Sequence, residues 1–174
     1  SQGSLLVRHY VDNRRPQLAV LLDTDAGAYH NPDEDFEVAV SAAASIAISA
    51  MGDRQPIAVR SGGEALMGQG QRASRSDVLD RLTLAQTTPR GDLVGQVIEM
   101  LQGELGTSAL ALITGAAKTE DLMRIVSLAR RSVRVIVIRV YSPGDGREAP
   151  VPRAIGLDVS SLTEFKIGWD RIAS

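Results

Sequence analysis

A chain of 174 residues fits one domain, and its 44% apolar content with 3% aromatics suits a core of Ala, Val, Leu and Ile. A net charge of -2, with 17 Arg and 2 Lys among 19 basic residues, provides no blanket attraction for nucleic acid or acidic membranes. The lack of any cysteine excludes disulfides, thiolate catalysis and cysteine-ligated zinc or iron–sulfur sites, and a reducing cytoplasm is compatible with it.

The chain opens at Ser1 without a methionine and enters Leu5-Leu6-Val7 almost at once, so it reads as excised from a longer protein. An edge strand is expected over residues 4–10 and a polar turn over 12–16, followed by a central strand over 17–22. Asn31-Pro32-Asp33-Glu34 then starts a helix: Asn caps, Pro takes the first helical position, Glu follows three residues after the cap, and the acids face the positive dipole end. From Phe36 this helix is apolar on nearly every side, which suits an element sandwiched in the core, and Gly52 with Asp53 ends it. Its apolar segment 38–51, broken by Ser41, Ser45 and Ser49, falls short of the roughly 20 residues that cross a bilayer.

A second strand is expected over 56–60, with Ser61-Gly62-Gly63 turning the chain into a short partner strand over 64–67. Residues 68–75 are polar and Gly-rich. Helical spacing marks 77–84 and 92–105, an apolar run marks a strand over 109–113, and an amphipathic helix follows over 119–131. A strand over 133–140, a loop over 142–152, an edge strand over 155–159 and a helix over 161–169 complete the chain. The alternation predicts an α/β fold: a three-layer sandwich with a mostly parallel central sheet, flanked by helices joined through right-handed crossovers, and one domain over 1–174.

Asp23-Thr24-Asp25-Ala26-Gly27 leaves the end of the apolar run Leu18-Ala19-Val20-Leu21-Leu22. Ligands of parallel sheets bind in the loops outside the carboxyl ends of the strands, so this turn marks the candidate site. On the same rim the strand order brings Asp23, Thr24, Asp25, Tyr29, His30, Arg90, Asp92 and Thr114 together. Asp23, Thr24, Asp25, Arg90, Asp92 and Thr114 are the expected partner-binding set, and no catalytic residue is assigned. If Asp23 and Asp25 face each other with no cation between them, their repulsion raises one pKa. His9 and His30 lack partners at metal or triad spacing and read as surface or turn residues. Ser61-Gly62-Gly63 and Gly68-x-Gly70 read as turns because neither opens a helix with a following Lys. Phe165 and Trp169, four apart, read as pins of the last helix on the sheet.

Leu5-Leu6-Val7-Arg8-His9-Tyr10, the strand ending in Asp23-Thr24-Asp25, and the helix from Phe36 to Met51 running into Gly52-Asp53-Arg54 resemble the domain-of-unknown-function-58 family. The resemblance implies a von Willebrand factor A-like domain acting as a scaffold or adaptor. It also implies a MoxR-type AAA+ ATPase as partner, and a soluble cytoplasmic domain that follows membrane-anchoring helices in the full protein. An intact metal-ion-dependent adhesion site in that family shows Asp-x-Ser-x-Ser after the first strand, a Thr from a second loop and an Asp from a third. Here Asp23 matches the first acid, whereas Asp25 and Gly27 replace the two serines, Gly91 falls where the Thr belongs, with Thr87 and Thr88 close by, and Thr114-Gly115 supplies no carboxylate. The expected site is degenerate and without a cofactor, with Asp23 and Asp25 as the remaining candidates for Mg²⁺.

A rival of another class is the haloacid-dehalogenase-like Mg-dependent phosphatase, which also opens with Asp-x-Asp after an apolar strand. That resemblance implies Asp23 as nucleophile and Asp25 as general acid, Thr114 as the second motif, Lys118 as its cation and Gly144-Asp145 as its acidic motif. Gly27, the short spacing from Thr114 to Lys118, and Glu148 as the only acid near Asp145 depart from the pattern.

Overall fold

The computed structural model describes residues 17–68 and 73–174. The expected edge strand over 4–10, the turn over 12–16, His9 and Gly70 lie outside the described residues. Among these residues six strands form one sheet: β1 (Gln17–Leu22), β2 (Ile57–Ser61), β3 (Glu64–Met67), β4 (Thr107–Gly115), β5 (Arg134–Val140) and β6 (Ile155–Val159). Their order is β3-β2-β1-β4-β5-β6, with β3 antiparallel to β2 and every other neighbouring pair parallel. Among the described residues five helices accompany them: α1 (Pro32–Gly52), α2 (Arg75–Thr83), α3 (Leu93–Gly103), α4 (Thr119–Leu128) and, after the last strand, α5 (Leu162–Ala173).

Strand alternation divides the core in two. Leu18, Val20 and Leu22 of β1 face the layer of α1, α2 and α5, where Phe36, Ala39, Ala43, Ile46, Val78, Leu82 and Phe165 are buried. Ala19 and Leu21 face the layer of α3 and α4, with Leu93, Val97, Met100, Leu122 and Ile125. Every residue of β1 is buried, which is why it reads as a continuous apolar run. Together the two layers and the sheet make the expected three-layer α/β sandwich.

The helix α1 is longer than its apolar segment, because the polar first turn Pro32–Asp35 belongs to it. Its 21 residues are long and apolar enough to cross a membrane by length and composition. Its buried residues Phe36, Ala39, Ala43, Ile46, Ala47 and Ala50 instead form one stripe with helical spacing against the sheet, and Val38, Val40, Ala44 and Met51 pack partly buried beside it, so the helix is apolar on nearly every side, as expected. The alanines let the helix and sheet backbones approach closely.

The start of α1 also corrects the expected capping. Asn31 occupies the cap without a side-chain hydrogen bond, and the carboxylate of Asp35 rather than Glu34 accepts from the Asn31 amide at 3.1 Å. Asp35 is buried and accepts a second bond, from Ser142 Oγ at 2.6 Å, tying α1 to the loop after β5. Ser74 caps α2 through Asp77 N, so that helix begins at Arg75, before the first apolar residue. The helix α4 stops at Leu128, short of the expected 131, because Ala129 is extended (φ -66°, ψ 137°). Ser161 caps α5, which runs on past Trp169 to Ala173, with Phe165 and Trp169 stacked at 5.9 Å.

Candidate functional site

The chain moves outward in opposite directions from β1, to β2 on one side and β4 on the other. In open α/β sheets the crevice at such a reversal is where ligands bind. Two loops meet there, one leaving β1 with Asp23 and Asp25, the other leaving β4 with Thr114 and Lys118.

Asp23 is completely buried. Its Oδ1 accepts from the Asp25 amide at 3.0 Å, and its Oδ2 accepts from Thr114 Oγ1 at 2.7 Å. Its own backbone is fixed as well, the amide donating to Ile113 O at 2.8 Å and the carbonyl accepting from Tyr29 Oη at 2.5 Å. Asp25 caps a single turn of 3₁₀ helix, Ala26–Ala28, through Gly27 N at 2.9 Å. Its other oxygen, Oδ2, accepts from Lys118 Nζ at 2.7 Å. Lys118 also stands 3.6 Å from Asp121 Oδ2 in the first turn of α4. The ammonium therefore lies between Asp25 and Asp121, with the charge of Asp23 also acting on it.

Glycine makes this closeness possible. A Cβ on Gly115 would overlap the Ala28 carbonyl oxygen, so the end of β4 touches the 3₁₀ turn backbone to backbone. A Cβ on Gly91 would lie 3.0 Å from Asp25 Cβ, so a side chain here would press on the acid it adjoins.

Burial pushes the Asp23 carboxyl above its ordinary value, against the lowering effect of the Asp25 amide, Thr114 and Lys118. Burial also acts upward on Asp25, but the Lys118 and Gly27 hydrogen bonds outweigh it and hold that carboxyl below its ordinary value. For Lys118 burial acts downward, and its bond to Asp25 with the nearby Asp23 raises it. Tyr29 is pushed well above 10.0 by burial and then by Asp23. The condition for repulsion between two unshielded acids is not met, because Lys118 stands beside Asp25; the Asp25 charge acts upward on Asp23 but comes last among the causes, after burial, the hydrogen bonds and Lys118.

The remaining rim residues separate. Thr24 is buried; its carbonyl accepts from Thr88 N at 2.7 Å, and its Oγ1 lies 3.4 Å from Thr88 Oγ1. Asp92 is exposed but caps α3, accepting from Gly95 N at 3.0 Å. Arg90 is exposed and its guanidinium makes no hydrogen bond or ion pair among the described residues. His30 is exposed in a bend, as expected of a surface or turn residue, and it pairs with Asp145 Oδ2 at 2.6 Å across 115 positions, so Asp145 is held by His30 rather than by the acid pair.

Lys118 is absent from the expected rim set although it completes the site. The available signal was its place: one of two lysines in an Arg-rich chain, three residues past the end of β4 and immediately before a helix. Among the described residues, no group of three or more His, Asp or Glu side chains is placed to hold a metal ion.

No protein-family model matches the chain. No curated protein matches it either. The solved structure of proximal thread matrix protein 1 from the mussel byssus is similar to it in fold, with a TM-score of 0.59 at 12% identity, over 91% of this chain and 47% of that chain. This chain thus spans about half of that protein, and the likeness concerns the α/β fold alone.

Proposed function

We propose that this chain is a non-catalytic protein-interaction or scaffold domain of the von Willebrand factor A-like type, with a degenerate adhesion site in which a lysine stands in for the metal ion. The observation that carries the reading is the 2.7 Å bond between Lys118 Nζ and Asp25 Oδ2. A divalent cation at the end of β1 needs open carboxylate oxygens. Here Asp23 has both oxygens engaged and Asp25 accepts from Gly27 N and Lys118. The positive charge that would otherwise come from Mg²⁺ is supplied by the chain, so no cofactor is part of this reading.

The same geometry argues against Asp23 as a phosphatase nucleophile. An attacking carboxylate must present an oxygen to phosphorus, and Asp23 is fully enclosed with each oxygen bonded. A general acid must be protonated near neutral pH, whereas Asp25 is held below the ordinary carboxylate range.

Partner contact then falls to the exposed part of the rim, Arg90 and Asp92 with Thr88, while Asp23, Thr24, Asp25 and Thr114 hold those loops in place from below. The partner in this reading is a MoxR-type AAA+ ATPase, and the domain works on the cytoplasmic side as part of a membrane-anchored protein. Titration of purified MoxR-type ATPase into the labelled domain tests it. Wild type is expected to bind, and Arg90→Glu to weaken binding about tenfold, a typical loss for one well-placed Arg. No binding by wild type, together with Mg-dependent hydrolysis of p-nitrophenyl phosphate that Asp23→Asn abolishes, would replace this reading with the phosphatase.

A further inference from the structure

A cleft of about 500 Å³ adjoins the acid pair on the hairpin side of β1. It lies between the β2–β3 turn and the carboxyl end of α2, and its volume is within the range of side-chain and small-ligand pockets. Thr24, Ser61, Glu64, Arg81, Leu84 and Thr88 are among its lining residues.

Among the described residues that line it, Arg81 is the one cation, and it is already committed. Arg81 donates to Glu64 Oε1 at 2.7 Å, to Leu66 O at 3.0 Å and to Ala65 O at 3.4 Å. Glu64, with a side chain 67% exposed, has a second carboxylate oxygen that accepts no hydrogen bond among the described residues. Leu84, Ala85 and Gln86 follow directly on α2, so the negative end of that helix dipole opens on the same space. Leu84 is 77% exposed, the most exposed large apolar side chain among the described residues. The cleft therefore combines an uncovered apolar surface with acceptors and, among the described residues, has no uncommitted positive charge.

A long aliphatic stem carrying a cationic head matches that combination, since Lys and Arg cover apolar surface with the stem while the head reaches acceptors. We propose that the cleft docks a Lys or Arg side chain of a partner protein, the stem against Leu84 and Ala85 and the head at Glu64 and the carbonyl end of α2. The inference rests on the reading of this chain as a binding module and supplies the partner's chemistry at one position.

The test is a methyl-NMR titration of the whole chain with acetyl-lysine N-methylamide and, in parallel, its uncharged counterpart acetyl-norleucine N-methylamide. Saturable shifts of the Leu84, Ala85, Thr24 and Thr88 methyls are expected, with the lysine amide about fivefold tighter, as for one exposed ion pair. Glu64→Gln should erase the difference between the probes, and Leu84→Ser should weaken both; both positions are exposed, so folding is not at stake. Equal response to the two probes, or cleft methyls that do not move, overturns the inference. A silent cleft beside an intact Arg90-dependent association overturns this inference alone. A lysine-specific response without that association upholds the cleft and overturns the ATPase as partner.

Discussion

Two openings adjoin at the carboxyl ends of β1 and β2, and they have been treated in opposite ways. At the β1–β4 reversal the chemistry-bearing groups are turned on each other: Asp23 on Thr114 and the Asp25 amide, Asp25 on Gly27 and Lys118. One step away, the cleft beside the β2–β3 hairpin leaves Leu84 uncovered and a Glu64 oxygen without a hydrogen bond among the described residues. The first region has the residue types of a reactive site and the bonding of a structural one. The second has ordinary residue types and an unspent surface. A buried polar group has to be satisfied and an exposed one does not, so residue identity alone does not locate function.

The largest way to break the contrast is to force the closed region apart. Gly115→Ala drives a Cβ into the Ala28 carbonyl, backbone on backbone, and is expected to cost about 4 kcal/mol in urea unfolding. Lys118→Ala removes the cation from a pair whose side chains are 14% and 12% exposed, and should cost about 3 kcal/mol. Adding Asp25→Asn to it should return part of that loss, since the stranded charge goes with it. If the double variant is no better than Lys118→Ala, the ion pair is not what closes the region. Asp23→Ala strands Thr114 Oγ1 and the Asp25 amide, for about 2 kcal/mol.

Acidity sharpens the comparison further. The Lys118 pKa is raised above 10.5 in the folded chain, so its contribution is fully present below that value and is lost as pH rises through the folded value. The Asp25 pKa is lowered below 3.8, so its contribution is present above 3.8 and disappears as pH falls through the folded value. Asp23 runs the other way: its raised pKa makes stability fall as pH climbs above 3.8 through the folded value. Melting curves of Asp23→Asn should lack that fall, and those of Lys118→Met should show a smaller alkaline one, the remainder belonging to Tyr29. The smallest effect belongs to the open region, where Leu84→Ser should stay within about 0.5 kcal/mol of wild type.

Much of the frame was legible because it depends on local pattern. The run Leu18 to Leu22 reads as a doubly covered strand and is one, and Gly62, with φ 56°, turns β2 into β3 where Ser61-Gly62-Gly63 marks a hairpin. Helix ends were less legible where the signal was a single side chain, as with Ser74 before α2. The site was half legible. Asp23, Asp25 and Thr114 lie at strand ends and can be placed by counting, but Lys118 reaches Asp25 across 93 positions and His30 reaches Asp145 across 115. Neither pairing has a periodicity to betray it. The link from Asp35 to the loop after β5 was hidden for the same reason, its partner Ser142 being 107 residues away.

The role proposed for Lys118 is to supply the positive charge at the end of β1. Its most direct test is the melting temperature of wild type, Lys118→Ala and Asp25→Asn in EDTA and in millimolar Mg²⁺ or Mn²⁺, because a ion that binds only the folded state must raise it. Wild type is expected to melt at the same temperature in EDTA and in either cation, and well above Lys118→Ala. A rise in wild type with Mg²⁺ or Mn²⁺ that Asp25→Asn abolishes would contradict the account, because Asp25 would then be holding a metal ion and not the lysine.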